Sequence, residues 1–209
     1  MKPIGLLGGT FDPIHNGHLR IALEVAETFS LEEVRMIPVN VPSHRALPEA
    51  SAFDRCEMIS SVETYPLILD DVEIQRGGIS YSIDTLEYLK KELIGSVFCL
   101  ILGADAFRSI KSWHRANDLF SLTNVVVVAR GEVAKIEKES FYLALGGKPT
   151  ENPEDLKTAS GFVYFMDAPI MQVASSKIRE KIKLGRSIKG LVPSQVEKII
   201  REKKLYKNG

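Results

Sequence analysis

The sequence predicts an α/β fold: a doubly wound parallel sheet of about five to six strands with helices on both faces. Three observations carry that prediction. Short apolar runs recur along the chain, at the length of buried strands rather than of buried helices. Stretches whose apolar residues repeat with helical spacing separate them. The first run ends in Gly8-Gly9, and the polar segment after it leads directly into a helix.

The candidate strands cover residues 3–8, 34–38, 96–102, 124–129 and 162–166. Leu19, Ala22, Leu23 and Ala26 repeat with a helical period, as do Ile83, Leu86, Leu89 and Leu93. A last helix begins after Pro193 and carries Val196, Ile199 and Ile200 on one face. Strands that alternate with helices pair in parallel. Ligands bind such sheets beyond the carboxyl ends of the strands, where strand order reverses. Residues 130–161, with Gly146-Gly147, Pro149 and Pro153, are the least patterned and read as a peripheral loop-and-helix insertion. Residues 1–209 read as one domain, with a C-terminal helical part from about residue 175.

The chain of 209 residues, 44% of them hydrophobic, suffices for one substantial core. Lys and Arg total 27, as do Asp and Glu. Zero formal charge argues against a general nucleic-acid binder, so any anion site must be local. No apolar run approaches membrane-spanning length, and the stretch from Ile4 to Gly9 is too short for a signal peptide. The expected location is the cytosol, with no membrane partner. Cys56 and Cys99 lack metal-ligand spacing. One disulfide between them is formally open, although nothing else marks a secreted protein. Cys99 sits in an apolar run and reads as a small buried hydrophobe. Composition leaves open whether the chain forms a homo-oligomer.

The most informative segment is Gly8-Gly9-Thr10-Phe11-Asp12-Pro13-Ile14-His15-Asn16-Gly17-His18. It is neither the G-x-G-x-x-G dinucleotide fingerprint nor a Walker A loop. Its glycines let a ligand approach the backbone, and the helix start offers free N–H groups and the positive dipole end. The glycines alone would be no more than a turn. His15 and His18, two of four histidines, stand at that positive end, which disfavours imidazolium unless an anion is present. His-x-x-His can also ligate a metal, but no third ligand is obvious nearby. Phosphate binding accounts for the whole segment.

Gly9 to His18 resembles the signature of the nucleotidylyltransferase superfamily, G-x-F-x-P-x-[HT]-x-x-H. A second segment, Val173-Ala174-Ser175-Ser176-Lys177-Ile178-Arg179, leads into another helix, with Ser175 or Ser176 as candidate N-cap. Lys177 and Arg179 oppose the dipole in its first turn, which suits a polyphosphate ligand; the alternative is a capped helix with solvated charges. This segment resembles the superfamily's I-S-S-T-x-x-R, with Ala174 and Ser176 as departures.

The middle of the chain narrows the acceptor. Gly77-Gly78-Ile79-Ser80-Tyr81-Ser82 enters a helix with Ser82 as candidate cap, and Gly103-Ala104-Asp105 follows a strand. Trp113, the only tryptophan, is flanked by Lys111, Ser112, His114 and Arg115, an unusually polar setting for a core residue. Together these resemble the bacterial nicotinate-nucleotide adenylyltransferase branch, with its S-Y-T helix start, G-A-D strand exit and downstream Trp. The resemblance reaches Leu191-Val192-Pro193 and Leu205-Tyr206 and so covers nearly the whole chain.

It implies a Rossmann-like enzyme that joins ATP to nicotinate mononucleotide, with Mg²⁺ arriving on ATP. Gly8, Gly9, Thr10, Phe11, His15, His18, Gly103, Asp105, Ser175, Ser176 and Arg179 would surround ATP, Asp105 on a ribose hydroxyl. His15, His18 and Arg179 would be catalytic. Trp113 would stack on the pyridine ring, while Ser82 and the backbone near His114 meet its carboxylate. His44 and Arg45 would contact the mononucleotide phosphate, or else be solvated surface. Val39 stands where the family has an amide, so Asn40 is not assigned that role. The nearest rivals are a pantetheine-phosphate adenylyltransferase or a cytidylyltransferase, and, from another class, a nucleotide-binding regulatory module without turnover.

Overall fold

A computed structural model describes residues 3–43, 46–129, 140–168 and 171–207. In chain order the elements are β1 (Ile4–Gly9), α1 (Asn16–Phe29), β2 (Glu33–Pro38), β3 (Val41–Pro42), α2 (Ala52–Ser60), β4 (Leu67–Leu69), α3 (Val72–Arg76), β5 (Ile79–Ser80) and α4 (Ser82–Glu92). There follow β6 (Phe98–Gly103), α5 (Ala104–Ser109), α6 (Leu119–Leu122), β7 (Asn124–Ala129), α7 (Phe141–Ala144), β8 (Lys148–Thr150), β9 (Phe162–Asp167), α8 (Ser175–Lys183) and α9 (Ser194–Glu202).

Seven strands form one sheet in the order β4-β2-β1-β6-β7-β9-β8, and all its pairings are parallel. The chain winds outward from β1 to β4 and then returns to the other side of β1 with β6. Strand order therefore reverses between β1 and β6, which opens a crevice beyond their carboxyl ends.

Consecutive strand residues face opposite sides of a sheet, and the two cores follow that alternation. Leu7, Met36, Ile101 and Val126 meet Ala22, Val25 and Phe29 of α1, Met58 of α2, Ile178 of α8, and Val196 and Ile200 of α9. Leu6, Leu100, Val125 and Val127 meet Leu86 and Leu89 of α4, Phe107 of α5 and Phe120 of α6. The C-terminal helices thus share a core with β1.

All five expected strands are present, extended or trimmed by a residue or two. The sheet has seven rather than about five to six because β4 and β8, three residues each, pair at its edges. Residues 130–139 lie outside the described residues. The rest of the expected insertion is more than peripheral: it supplies β8 and the buried Tyr142 and Leu156. Cys56 and Cys99 are both free thiols, and burial pushes Cys99 up to about 12. Among the described residues no helix is long and apolar enough to cross a membrane.

Two expected caps shift by one position. Ser82 and Ser175 are already helical; extended Tyr81 and Ala174 precede them, and no side chain caps either helix. α1 is capped by His15 itself, whose Nδ1 accepts the His18 N–H at 3.3 Å.

Candidate active site

The crevice holds two adjoining cavities that share Thr10 and Ala106. The first, about 720 Å³, is lined by Thr10, Asp12, His15, His18, Gly103, Asp105, Ser175, Ser176 and Arg179, among others. The second, about 470 Å³, is lined by Gly8, Gly9, Thr10, Glu73, Tyr81, Ser82, Trp113 and His114, among others. Both fall in the usual range of small-molecule sites.

The two phosphate-facing segments, 162 residues apart where they touch, meet in the first cavity. Ser175 Oγ donates to the Pro13 carbonyl at 2.9 Å, and Arg179 Nη1 donates to the Asp12 carbonyl at 2.7 Å. The helix openings of α1 and α8 therefore lie side by side. The Asn16 and His18 N–H groups of α1 are taken by the Leu191 carbonyl and by His15, whereas no side chain caps α8, whose opening is left for an anion.

His15 and His18 stack at 3.6 Å with 14° between their planes. Each Nδ1 accepts the other's backbone N–H at 3.3 Å, so each neutral ring carries its proton on Nε2. Burial pushes His15 down to about 4, and burial together with the neighbouring His15 pushes His18 well below the usual value. Both rings are thus neutral donors at physiological pH. Gly17 is needed at this spot: a Cβ would sit 3.1 Å from the His15 ring and 3.3 Å from the Met171 carbonyl.

Phe11 lines neither cavity; it is buried, with its ring edge-on to His18 at 5.0 Å and under Gly9. Gly8 and Gly9 open on the second cavity rather than the first. A Cβ at Gly8 or Gly103 would meet no protein atom within 4 Å, so it would take up ligand space. Trp113 Nε1 donates to Ser109 Oγ at 3.2 Å, which fixes the indole in the second cavity, and the His114 ring lies 4.4 Å from Tyr81. Asn40 is spent on Gly78 and Ser80, holding β3 against β5. His44 and Arg45 lie outside the described residues.

Three residues escaped the sequence reading. Asp12 is a buried hub whose carboxyl accepts the Glu49 and Ala50 N–H groups at 2.8 and 3.0 Å and the Tyr206 hydroxyl at 2.8 Å. Buried Arg55 spans the Thr10 and Val39 carbonyls at 3.0 and 2.7 Å, backing the wall between the cavities. Glu49 receives Arg179 at 2.8 Å and Lys183 at 3.1 Å. Partial burial would raise the Glu49 carboxyl, but these two cations outweigh it and hold it below the ordinary range. None of these partners is local in sequence except through the folded sheet.

A reversing parallel sheet with a phosphate-facing cavity and a second cavity beside it defines a nucleotide-binding α/β protein with room for two substrates. The family model described as cytidylyltransferase-like matches residues 6–181. A probable nicotinate-nucleotide adenylyltransferase from Methylococcus capsulatus is 38% identical over 207 residues, covering 97% of this chain and 99% of the relative. One from Geotalea uraniireducens is 40% identical over 210 residues, covering 97% of each. Plasmodium falciparum nicotinic acid mononucleotide adenylyltransferase complexed with NaAD shares the fold, with a TM-score of 0.73 at 20% identity over 99% of this chain and 98% of that one. The chain belongs to the cytidylyltransferase-like family and, within it, to the nicotinate-nucleotide adenylyltransferases.

Proposed function

We propose that the protein transfers the adenylyl group of ATP to nicotinate mononucleotide, giving nicotinate adenine dinucleotide and pyrophosphate, a step of NAD biosynthesis. The observation that carries this reading is the pair of cavities on either side of Thr10, one lined by both phosphate-facing segments and the other by Trp113. The names of the full-length relatives support it, as does the NaAD complex of the Plasmodium neighbour.

The acceptor phosphate is largely dianionic near neutral pH, because its second pKa is about 6. It attacks the α-phosphorus in line, without a general base and without a covalent intermediate. The protein aligns the acceptor oxygen, the phosphorus and the departing pyrophosphate, an effect that can reach roughly 7–11 kcal/mol. The Nε2–H groups of His15 and His18 donate to the oxygens that gain charge in the transition state. Ser175, Ser176 and Arg179 hold the β- and γ-phosphates, and Asp105 receives a ribose hydroxyl. Trp113 stacks on the pyridine ring, and Ser82 with the N–H groups around His114 meets its carboxylate.

Among the described residues, no group of three or more His, Cys, Asp and Glu side chains could hold a metal ion. That donor set suits Mg²⁺ carried in on phosphate oxygens and water, where it would neutralise phosphate charge. Residues 1–209 act as one unit, since Tyr206 reaches Asp12. Incubation with Mg-ATP and nicotinate mononucleotide, with pyrophosphate and dinucleotide both measured, tests the reading. ATP binding with no pyrophosphate release would favour a regulatory module instead.

A further inference from the structure

Among the described residues, Glu73 is the only acidic one lining the second cavity. It comes from α3 and is 6% exposed. Thr85 Oγ1 donates to its Oε1 at 2.7 Å, and Arg76 Nη1 donates to the same Thr85 hydroxyl at 3.2 Å. Oε2 is buried and has no hydrogen-bond partner among the described residues. Arg76, a hydroxyl away, is not part of the cavity lining, so Glu73 is the charged member of this network that borders the ligand space. A buried carboxylate oxygen left unpaired is costly, and its retention calls for a specific counterpart.

The chemistry of the second substrate supplies one. A pyridine ring joined to ribose through its nitrogen carries a full positive charge, whereas its dihydro form is neutral. The face of Trp113 already favours a cation. The anionic groups of that substrate have N–H donors at the start of α4, while among the described residues its ring charge has no counter-charge in the lining except Glu73.

We propose that Glu73 is the counter-charge of the pyridinium ring, a specificity-determining residue that makes this cavity prefer the oxidised, cationic mononucleotide to its neutral dihydro form. This rests on the reading of the second cavity as the mononucleotide site. Because Trp113 is the only tryptophan, its fluorescence reports occupancy of the cavity without any turnover.

The test titrates the protein and its E73Q variant with nicotinate mononucleotide and, separately, with the 1,4-dihydro form of the same compound. The unaltered protein binds the oxidised form on the order of tenfold or more tightly, the scale of one partly screened charge contact. E73Q weakens the oxidised form by about that factor and leaves the dihydro form within about threefold. Equal loss for both forms would mean that Glu73 only shapes the cavity, and the proposal falls. Equal affinity of the unaltered protein for the two forms overturns it as well, whether or not E73Q folds. Pyrophosphate release is measured apart: its absence counts against adenylyl transfer and leaves the fluorescence result standing.

Discussion

His15→Asn removes a titrating group while keeping a cap on α1. Asparagine offers Oδ1 where His15 Nδ1 now accepts the His18 N–H, and it ranks among the best N-cap residues. Burial holds the His15 imidazole at about 4 in the folded protein, against 6.5 for the free group. Between those values the unfolded chain binds more protons than the folded one. This contribution is therefore complete above the unfolded value and is lost as the pH falls toward the folded one. A gap of about 2.5 units amounts to roughly 3 kcal/mol, of which roughly 2 kcal/mol disappears between about pH 7 and about pH 5. His18 is shifted in the same direction, so removing its stacked neighbour does not restore the slope. Urea denaturation of both proteins across that range gives the comparison, and carboxyl groups common to both cancel in the difference. The unaltered protein should lose roughly 2 kcal/mol more than the variant on acidification. Parallel curves would refute the argument that the ring is buried and neutral.

His18→Ala should lower kcat by about a hundredfold or more, the scale of one lost transition-state donor, while the KM for ATP moves little; near-normal turnover would remove His18 from the chemistry. Glu49→Gln frees Arg179 and Lys183 from a carboxylate that competes with phosphate, so the KM for ATP should fall roughly two- to fivefold, the scale of an exposed ion pair. A rise in that KM would show that Glu49 assists binding instead. Tyr206→Phe takes a hydroxyl from the buried Asp12 carboxyl and should cost about 1–3 kcal/mol in urea denaturation; an unchanged midpoint would mean the C-terminus does not brace the loop.

The central strands were legible because they are buried on both faces and read as unbroken apolar runs, as Val125-Val126-Val127-Val128 does. The edge strands were not. β8 is Lys-Pro-Thr, largely exposed, with a proline that only an edge tolerates. β3 and β5 have two residues each and show no period at all. α2 does carry a local signal: Ser51 accepts the Asp54 N–H at 3.1 Å, a side-chain cap visible as Ser-x-x-Asp.

The site divides the same way. His15, His18, Ser175 and Arg179 announce themselves by helix-start chemistry, and Trp113 by its polar neighbours. Asp12 and Arg55 do not, because their roles depend on partners up to 194 residues away. The C-terminal Leu205-Tyr206 was recognisable only by resemblance; its physical reason is the hydrogen bond from Tyr206 to Asp12. Gly8 and Gly9 belonged to the right loop, but the division of the crevice into two cavities is set by distant elements, and the pair opens on the second.

The claim that each cavity takes one substrate is tested most directly by two variants and two Michaelis constants. Arg179→Lys, which loses the planar fork that grips phosphate, should raise the KM for ATP alone. Trp113→Ala should raise the KM for nicotinate mononucleotide alone. If both variants move the same constant, the two cavities do not divide the substrates between them.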